Sequence, residues 1–239
     1  QRPLGLTTIA VAGAGPGAGV SHLCLSLASY LAGSGNRAVL AEWPIGEKKT
    51  GVESQYGCFP GARYDKIKTG YGVEINTAHL NGFDIFLDAR SFRLIEYVFP
   101  VIAQNSYDYL VLDLGELSPD SPEKIAEMDR AALAILTVNA APYRIARFWP
   151  FVDKQDISVF TPNLPRWKIA LNLASDKEIR WFSDNFSQQV GEVYPIPFMA
   201  DILEQPAGIQ EILQPVLPTN TNIPAGKKLF PGLRAIFKR

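Results

Sequence analysis

A doubly wound α/β fold, with a mostly parallel sheet and helices on both faces, is the architecture predicted by this 239-residue sequence. Three observations predict it. Short, continuously apolar runs alternate with helical segments, which is how strands buried on both faces read. The first apolar run leads through a glycine-rich turn directly into a helix, an arrangement that gathers backbone N–H groups around an anion. No internal repeat or low-complexity block points to another architecture.

The elements follow in order. Thr8–Ala12 is an apolar strand, and Ser21–Ala32 is a helix with Leu23, Leu27 and Leu31 on one stripe. Gly33-Ser-Gly35-Asn36 ends that helix, and Arg37–Trp43 is the next strand. Gly46–Gly70 has little periodicity and reads as an irregular excursion. Gly72–Asn76 and Asp84–Leu87 are short strands, Phe92–Gln104 a helix, and Tyr109–Asp113 a strand ending in an acid. Ala132–Val138 is a strand, Pro142–Val152 a helix, Lys168–Leu173 a strand and Lys177–Phe186 a helix, with Val193–Ile196 closing the series. One domain over 1–214 is expected, followed by a tail over 215–239 where Pro, Asn and Thr give way to basic and apolar residues.

Composition bounds the function classes. Hydrophobic content of 47% and charged content of 20% suit a globular chain with ample core. A net charge of −1 gives no overall attraction to nucleic acid, and no nucleic-acid partner is expected. Cys24 and Cys58 are too few for a zinc site; Cys24 reads as a small core residue, and a reducing cytoplasm is the expected setting. No apolar run reaches the ~18 residues of a membrane span, and no secretory signal opens the chain. The chain opens on Gln1, as a processed protein or a piece of a longer one would.

Ile9-Ala-Val-Ala-Gly-Ala-Gly-Pro-Gly-Ala-Gly-Val-Ser21 carries most of the chemistry. As a P-loop, it puts Gly19 at the second glycine and Ser21 at the magnesium-binding hydroxyl, while Ala14 replaces the first glycine and Val20 the lysine. As a dinucleotide loop, Gly13-x-Gly15-x-x-Ala18 fits G-x-G-x-x-[G/A], and Glu42 ends the second strand near where a ribose-binding acid belongs. That second reading makes the chain an oxidoreductase binding FAD or NAD. A tight strand–helix turn holding no ligand explains the same glycines. His22, in the first helical turn, either faces a phosphate or is a surface histidine, and His79, with no nearby partner in sequence, reads as a surface residue.

Four later segments weigh on the choice. Tyr107-Asp-Tyr-Leu-Val-Leu-Asp113-Leu-Gly, Ala131-Ala-Leu-Ala-Ile-Leu-Thr-Val138, Lys168-Ile-Ala-Leu-Asn172 and Val193-Tyr-Pro-Ile-Pro-Phe-Met-Ala-Asp201 follow the glycine loop in that order. Together they resemble the MinD/ParA family of P-loop ATPases, from about Thr8 to Leu213. The resemblance implies that ATP or ADP lies against Gly15, Pro16, Gly17, Ala18, Gly19, Val20, Ser21 and His22, with Asn172 near the adenine. It implies Mg2+ at Ser21, supported through water by Asp113, which a structural hydrogen-bonding role explains equally well.

The departures from that family matter as much. Gly15 and Val20 stand where it carries lysines, and Glu42-Trp43-Pro44 keeps the first acid of its second strand while replacing the water-positioning aspartate with proline. Such degenerate loops resemble the TadZ/CpaE branch, which localises pilus-assembly machinery. The expectation is a pseudo-ATPase with no catalytic residue. It binds ATP or ADP weakly, requires no cofactor, and acts as a localisation or scaffold factor through protein partners. A residual nucleotide-switch ATPase is the alternative of enzyme class. Any homodimer is expected to form without ATP. The 227–239 tail, basic with Leu229, Phe230, Leu233, Ile236 and Phe237, suits either a peripheral membrane surface or docking on its own domain.

Overall fold

The computed structural model of the protein describes residues 5–43, 56, 59, 61–68, 74–87, 99–118, 120–152, 166–172, 174–186, 188–197 and 208–217, and structural statements below concern these. Pro44, Cys58, most of the 46–58 stretch, Gly72, residues 92–98, 198–201 and the 227–239 tail lie outside them.

The apolar runs form strands β1 (Thr7–Gly13), β2 (Ala38–Glu42), β6 (Tyr109–Glu116), β7 (Leu133–Asn139), β8 (Lys168–Asn172) and β9 (Val193–Ile196). A second group, β3 (Arg63–Lys68), β4 (Glu74–Leu80) and β5 (Phe83–Phe86), lies between β2 and β6 in sequence. All nine share one sheet in the order β3-β4-β5-β2-β6-β1-β7-β8-β9. From β5 to β9 every pair is parallel; β3–β4 and β4–β5 are antiparallel. The sheet is therefore mostly parallel, as predicted, with an antiparallel extension on one edge.

The two-residue period of a strand divides β1 between two cores. Ile9 and Val11 face helix α1 (Val20–Gly33) and α7 (Ile209–Leu213); Ala10 and Ala12 face the opposite core. That opposite core takes side chains from α2 (Phe99–Gln104), α3 (Pro122–Arg130) and α6 (Asp176–Phe186). It also takes Ile145 of α4 (Pro142–Ile145), Phe148 of the following 3-10 turn, and Phe151 and Val152 of α5 (Trp149–Val152). Leu23, Leu27 and Leu31 of α1 are buried, as their spacing predicts, each contributing about 1.5–3 kcal/mol of transfer free energy. Tyr109 Oη donates to the Val216 carbonyl at 3.0 Å, holding residues after α7 against the same face.

Three expectations are corrected. The Gly46–Gly70 excursion is not wholly irregular, because Arg63–Lys68 forms edge strand β3; its residues are mostly exposed, so no apolar alternation marks it. Helix α3 was not expected: Ile125 and Met128 are its buried apolar residues, in a short and otherwise mostly polar sequence. His79 is neither unpartnered nor fully exposed. The β4–β5 register sets it opposite Asp84, and Nδ1 meets Asp84 Oδ1 at 2.5 Å, while Tyr107 Oη donates to the other carboxylate oxygen.

Candidate functional site

Parallel strands end together, so their carboxyl ends and the loops that follow form one crevice. Here the ends of β1, β2 and β6 converge, with Glu42 the register partner of Asp113. The cleft between them measures about 440 Å³ and is walled by Gly15 to His22, Glu42, Trp43, Asp113 to Glu116, and Lys124.

The glycine loop is held from behind. Arg144 Nη1 donates to the Pro16 carbonyl at 3.1 Å, Asn139 Nδ2 to Gly17 at 3.2 Å, and Asn172 Nδ2 to Ala18 at 2.9 Å. A trans peptide sets N–H opposite C=O, so the Gly17 and Gly19 N–H groups turn away from these three side chains. None of the three forms part of the cleft wall. Two glycines are required here. Gly17 and Gly19 have φ of +71° and +91°, and a methyl group would collide with Arg144 at the first and Asn172 at the second.

Helix α1 begins at this loop, and its first intrahelical bond runs from Leu23 N to Gly19 O at 3.0 Å. The Val20, Ser21 and His22 N–H groups thus have no intrahelical acceptor, and no side chain caps the end. Positive dipole and N–H groups together favour an anion there.

The chemistry-bearing side chains are arranged differently. Ser21 Oγ donates to Asp113 Oδ2 at 2.8 Å, Tyr56 Oη donates to the same oxygen at 2.6 Å, and the Gly115 N–H donates to Oδ1 at 2.8 Å. The structure thus joins the two residues expected to support magnesium, and adds a tyrosine. Burial first, and then the neighbouring Asp113 carboxylate, pushes the Tyr56 phenol well above its usual range, so it stays a donor. Val20 is buried, with Cγ2 only 2.8 Å from where a side chain on Gly13 would begin. Its side chain belongs to the α1 core rather than to an exposed anion-binding surface.

The charge balance of the wall is unfavourable to phosphate. Glu42 and Asp113 are buried within it, and Glu116 is exposed, its backbone carbonyl accepting from the Lys124 ammonium at 2.7 Å. His22 adds no charge at neutral pH, since desolvation lowers its pKa from 6.5. Burial, then Asp113 and Glu42, raise the Cys24 thiol well above its usual range, leaving it protonated and unreactive.

Of the residues picked out by sequence, Gly15 to His22 and Asp113 share the cleft. Asn172 reaches the loop from behind through its bond to Ala18. Tyr56, Lys124, Arg144 and Asn139 were not picked out. No local motif marks them: Tyr56, Arg144 and Asn139 act through contacts made far along the chain, and Lys124 lies on a helix the apolar pattern does not reveal.

No family model and no curated protein sequence matches this chain. Solved structures do. A chain of the MinC:MinD cell division protein complex of Aquifex aeolicus has a TM-score of 0.50 at 16% identity, over 81% of this chain and 82% of that one. A chain described as a plasmid partition protein of Borrelia burgdorferi B31, bound to AMPPNP, has a TM-score of 0.50 at 14% identity, over 88% of this chain and 98% of that one. At such identities the likeness is one of fold. The chain has the α/β fold of the MinD/ParA P-loop ATPases.

Proposed function

We propose that this protein is a MinD/ParA-like positioning or scaffold factor. It binds ATP or ADP weakly through backbone N–H groups and turns it over very slowly or not at all. The observation that carries this reading is Val20, a buried aliphatic side chain at the position where a P-loop needs a lysine. The loop behind it remains shaped and held, so a cradle persists without the charge that stabilises phosphoryl transfer.

Protein contact is the natural output of such a chain; one structural neighbour is a complex of MinC with MinD. Any homodimer forms without ATP, because the lysines that would offset two sets of facing phosphates are replaced by Gly15 and Val20. A cytoplasmic protein meeting a membrane peripherally through 227–239 is part of the same proposal. No described helix is long and apolar enough to cross a membrane. The resemblance to the TadZ/CpaE branch supports localisation of an assembly as the task.

Calorimetry with ATP and ADP, with and without Mg2+, tests the binding claim. Weak affinity in the parent and stronger affinity in Val20→Lys are expected. Tight binding by the parent, or no gain in a folded Val20→Lys variant, contradicts it. Sedimentation with and without MgATP tests the assembly claim, and a monomer that dimerises only with ATP favours the switch-ATPase reading. Release of a flavin or nicotinamide dinucleotide on denaturation favours the oxidoreductase reading.

A further inference from the structure

We propose that the outward face of the helical segment 142–152, with Trp181 of α6, docks an acidic segment of a protein partner that also carries apolar side chains. This inference rests on the reading of the chain as acting through protein contacts, and it needs no nucleotide in the cleft. Helix α4, the 3-10 turn and α5 follow one another without a break. Their inward face is Ile145, Phe148, Phe151 and Val152, all buried. A helix that faces only water carries charged and polar residues on the other side. Here that side is Tyr143, Ala146, Arg147, Trp149 and Pro150, every one of them exposed.

Among the described residues, the exposed large apolar side chains are Tyr64, Tyr143, Trp149 and Trp181. Tyr64 lies on edge strand β3, and the other three belong to this face. Tyr143 is 78% exposed, more than any of the others. Trp149 and Trp181 both pack edge-on against the buried Phe186 ring, with centroids 5.2 and 5.9 Å away. The core thus holds both indoles in place, and a partner covering them orders little that is not already ordered.

Charge selects the partner. Residues 142–152 contain Arg144 and Arg147 and no acid, in a chain whose net charge is −1. The Arg144 guanidinium lies 5.6 Å from the Tyr143 ring centre while Nη1 holds the Pro16 carbonyl. Arg147 Cβ lies 3.1 Å from where a side chain on Gly15 would begin, so both arginines stand beside the glycine loop. Around Trp181 the charges are of both signs: Lys177 and Arg180 with Asp176, Glu178 and Asp184. Glu178 is engaged by the Ser175 N–H and hydroxyl. The excess of positive charge therefore lies at the α4 end. Tyrosine, tryptophan and arginine are the side chains that dominate binding energy at protein interfaces. Arginine favours carboxylates, which accept charged hydrogen bonds from it in pairs.

The test is fluorescence polarisation of two labelled peptides, one built of glutamate and leucine, the other with lysine at every glutamate position. Each is titrated with the parent chain, Tyr143→Ser, Arg147→Gln and Trp149→Leu, at low and moderate salt, alongside thermal melting. The parent is expected to bind the acidic peptide and not its lysine counterpart. Each variant should weaken binding about tenfold, and Arg147→Gln should also make it less salt-dependent. Tyr143→Ser and Arg147→Gln should melt near the parent, since both side chains are exposed. If Trp149→Leu melts well below the parent, those two variants decide. Equal affinity for both peptides, no binding of either, or unchanged affinity in the variants overturns the proposal and leaves the scaffold reading to another surface. Tighter binding of a single-stranded oligothymidylate or of phosphatidylglycerol vesicles, lost in the same variants, reassigns the face and overturns it. So does self-association of the parent that Tyr143→Ser abolishes. The nucleotide calorimetry above is independent of all these results, so the two readings fail separately.

Discussion

On its outer side the glycine loop is tied at three successive carbonyls by Arg144, Asn139 and Asn172. On its inner side, Ser21 and Tyr56 turn their hydroxyls onto Asp113, and Val20 is packed into the core. The outer ties fix the path of the backbone; the inner arrangement leaves little positive charge for a ligand. The comparison teaches that the path of a glycine loop can be maintained by side chains that take no part in the wall of the cleft it borders. Shape and chemistry of such a loop are then separable, and each can be perturbed alone.

The largest effect is expected on the inner side. Asp113→Ala removes the common acceptor of the half-buried Ser21, the buried Tyr56 hydroxyl and the half-buried Gly115 N–H. A loss of about 2–4 kcal/mol in unfolding free energy is expected by chemical denaturation. A loss below about 1 kcal/mol would show that these bonds are readily replaced by water.

The outer side is tested by Gly19→Ala, where a methyl group collides with Asn172 at a φ of +91°. A cost of about 1–3 kcal/mol is expected from strain at this left-handed position. Adding Asn172→Ala should recover the steric part, so the double variant should be more stable than additivity predicts. Strict additivity would mean that Asn172 does not brace the loop.

Tyr56→Phe, worth about 1–2 kcal/mol, separates the hydroxyl from the ring. The phenol's folded pKa lies above its unfolded value of 10, so folding favours the protonated form. That contribution is present below pH 10 and lost as pH rises beyond it, when the unfolded phenol ionises. The parent should therefore lose more stability above pH 10 than Tyr56→Phe does. Matching alkaline profiles would remove Tyr56 from the account of the site.

The smallest effect belongs to His22. Its folded pKa lies below the unfolded 6.5, so folding favours the neutral ring. Stability is full above pH 6.5 and declines as pH falls through that value, because the unfolded chain takes up the proton first. A denaturation series from pH 8 to 5 should show a shallower decline in His22→Asn than in the parent. An equal slope would assign the acid sensitivity to other groups.

The parallel part of the fold was legible because β1, β2, β6, β7 and β8 are buried on both faces and read as continuous apolar runs. Strand β3 and helix α3 were not, for the converse reason. Strand β3 leaves most of its side chains in water, and an exposed edge strand needs no hydrophobic period, while α3 buries only Ile125 and Met128 as apolar anchors in a mostly polar stretch. The loop itself was legible because its glycines are adjacent in sequence. Its supports Asn139, Arg144 and Tyr56 were not, since they reach the site only through tertiary structure, and Asn172, legible as a site residue, was not legible as a tie to the Ala18 carbonyl.

The comparison of the two sides stands or falls on whether the cleft performs phosphoryl transfer. The direct measurement is phosphate release from MgATP by the parent and by Ser21→Ala, at equal protein concentration and with folding verified. The account predicts the same rate for both, at the level of the buffer. Sustained turnover by the parent that Ser21→Ala abolishes would show that the loop still catalyses with Val20 in place of lysine, and would contradict it.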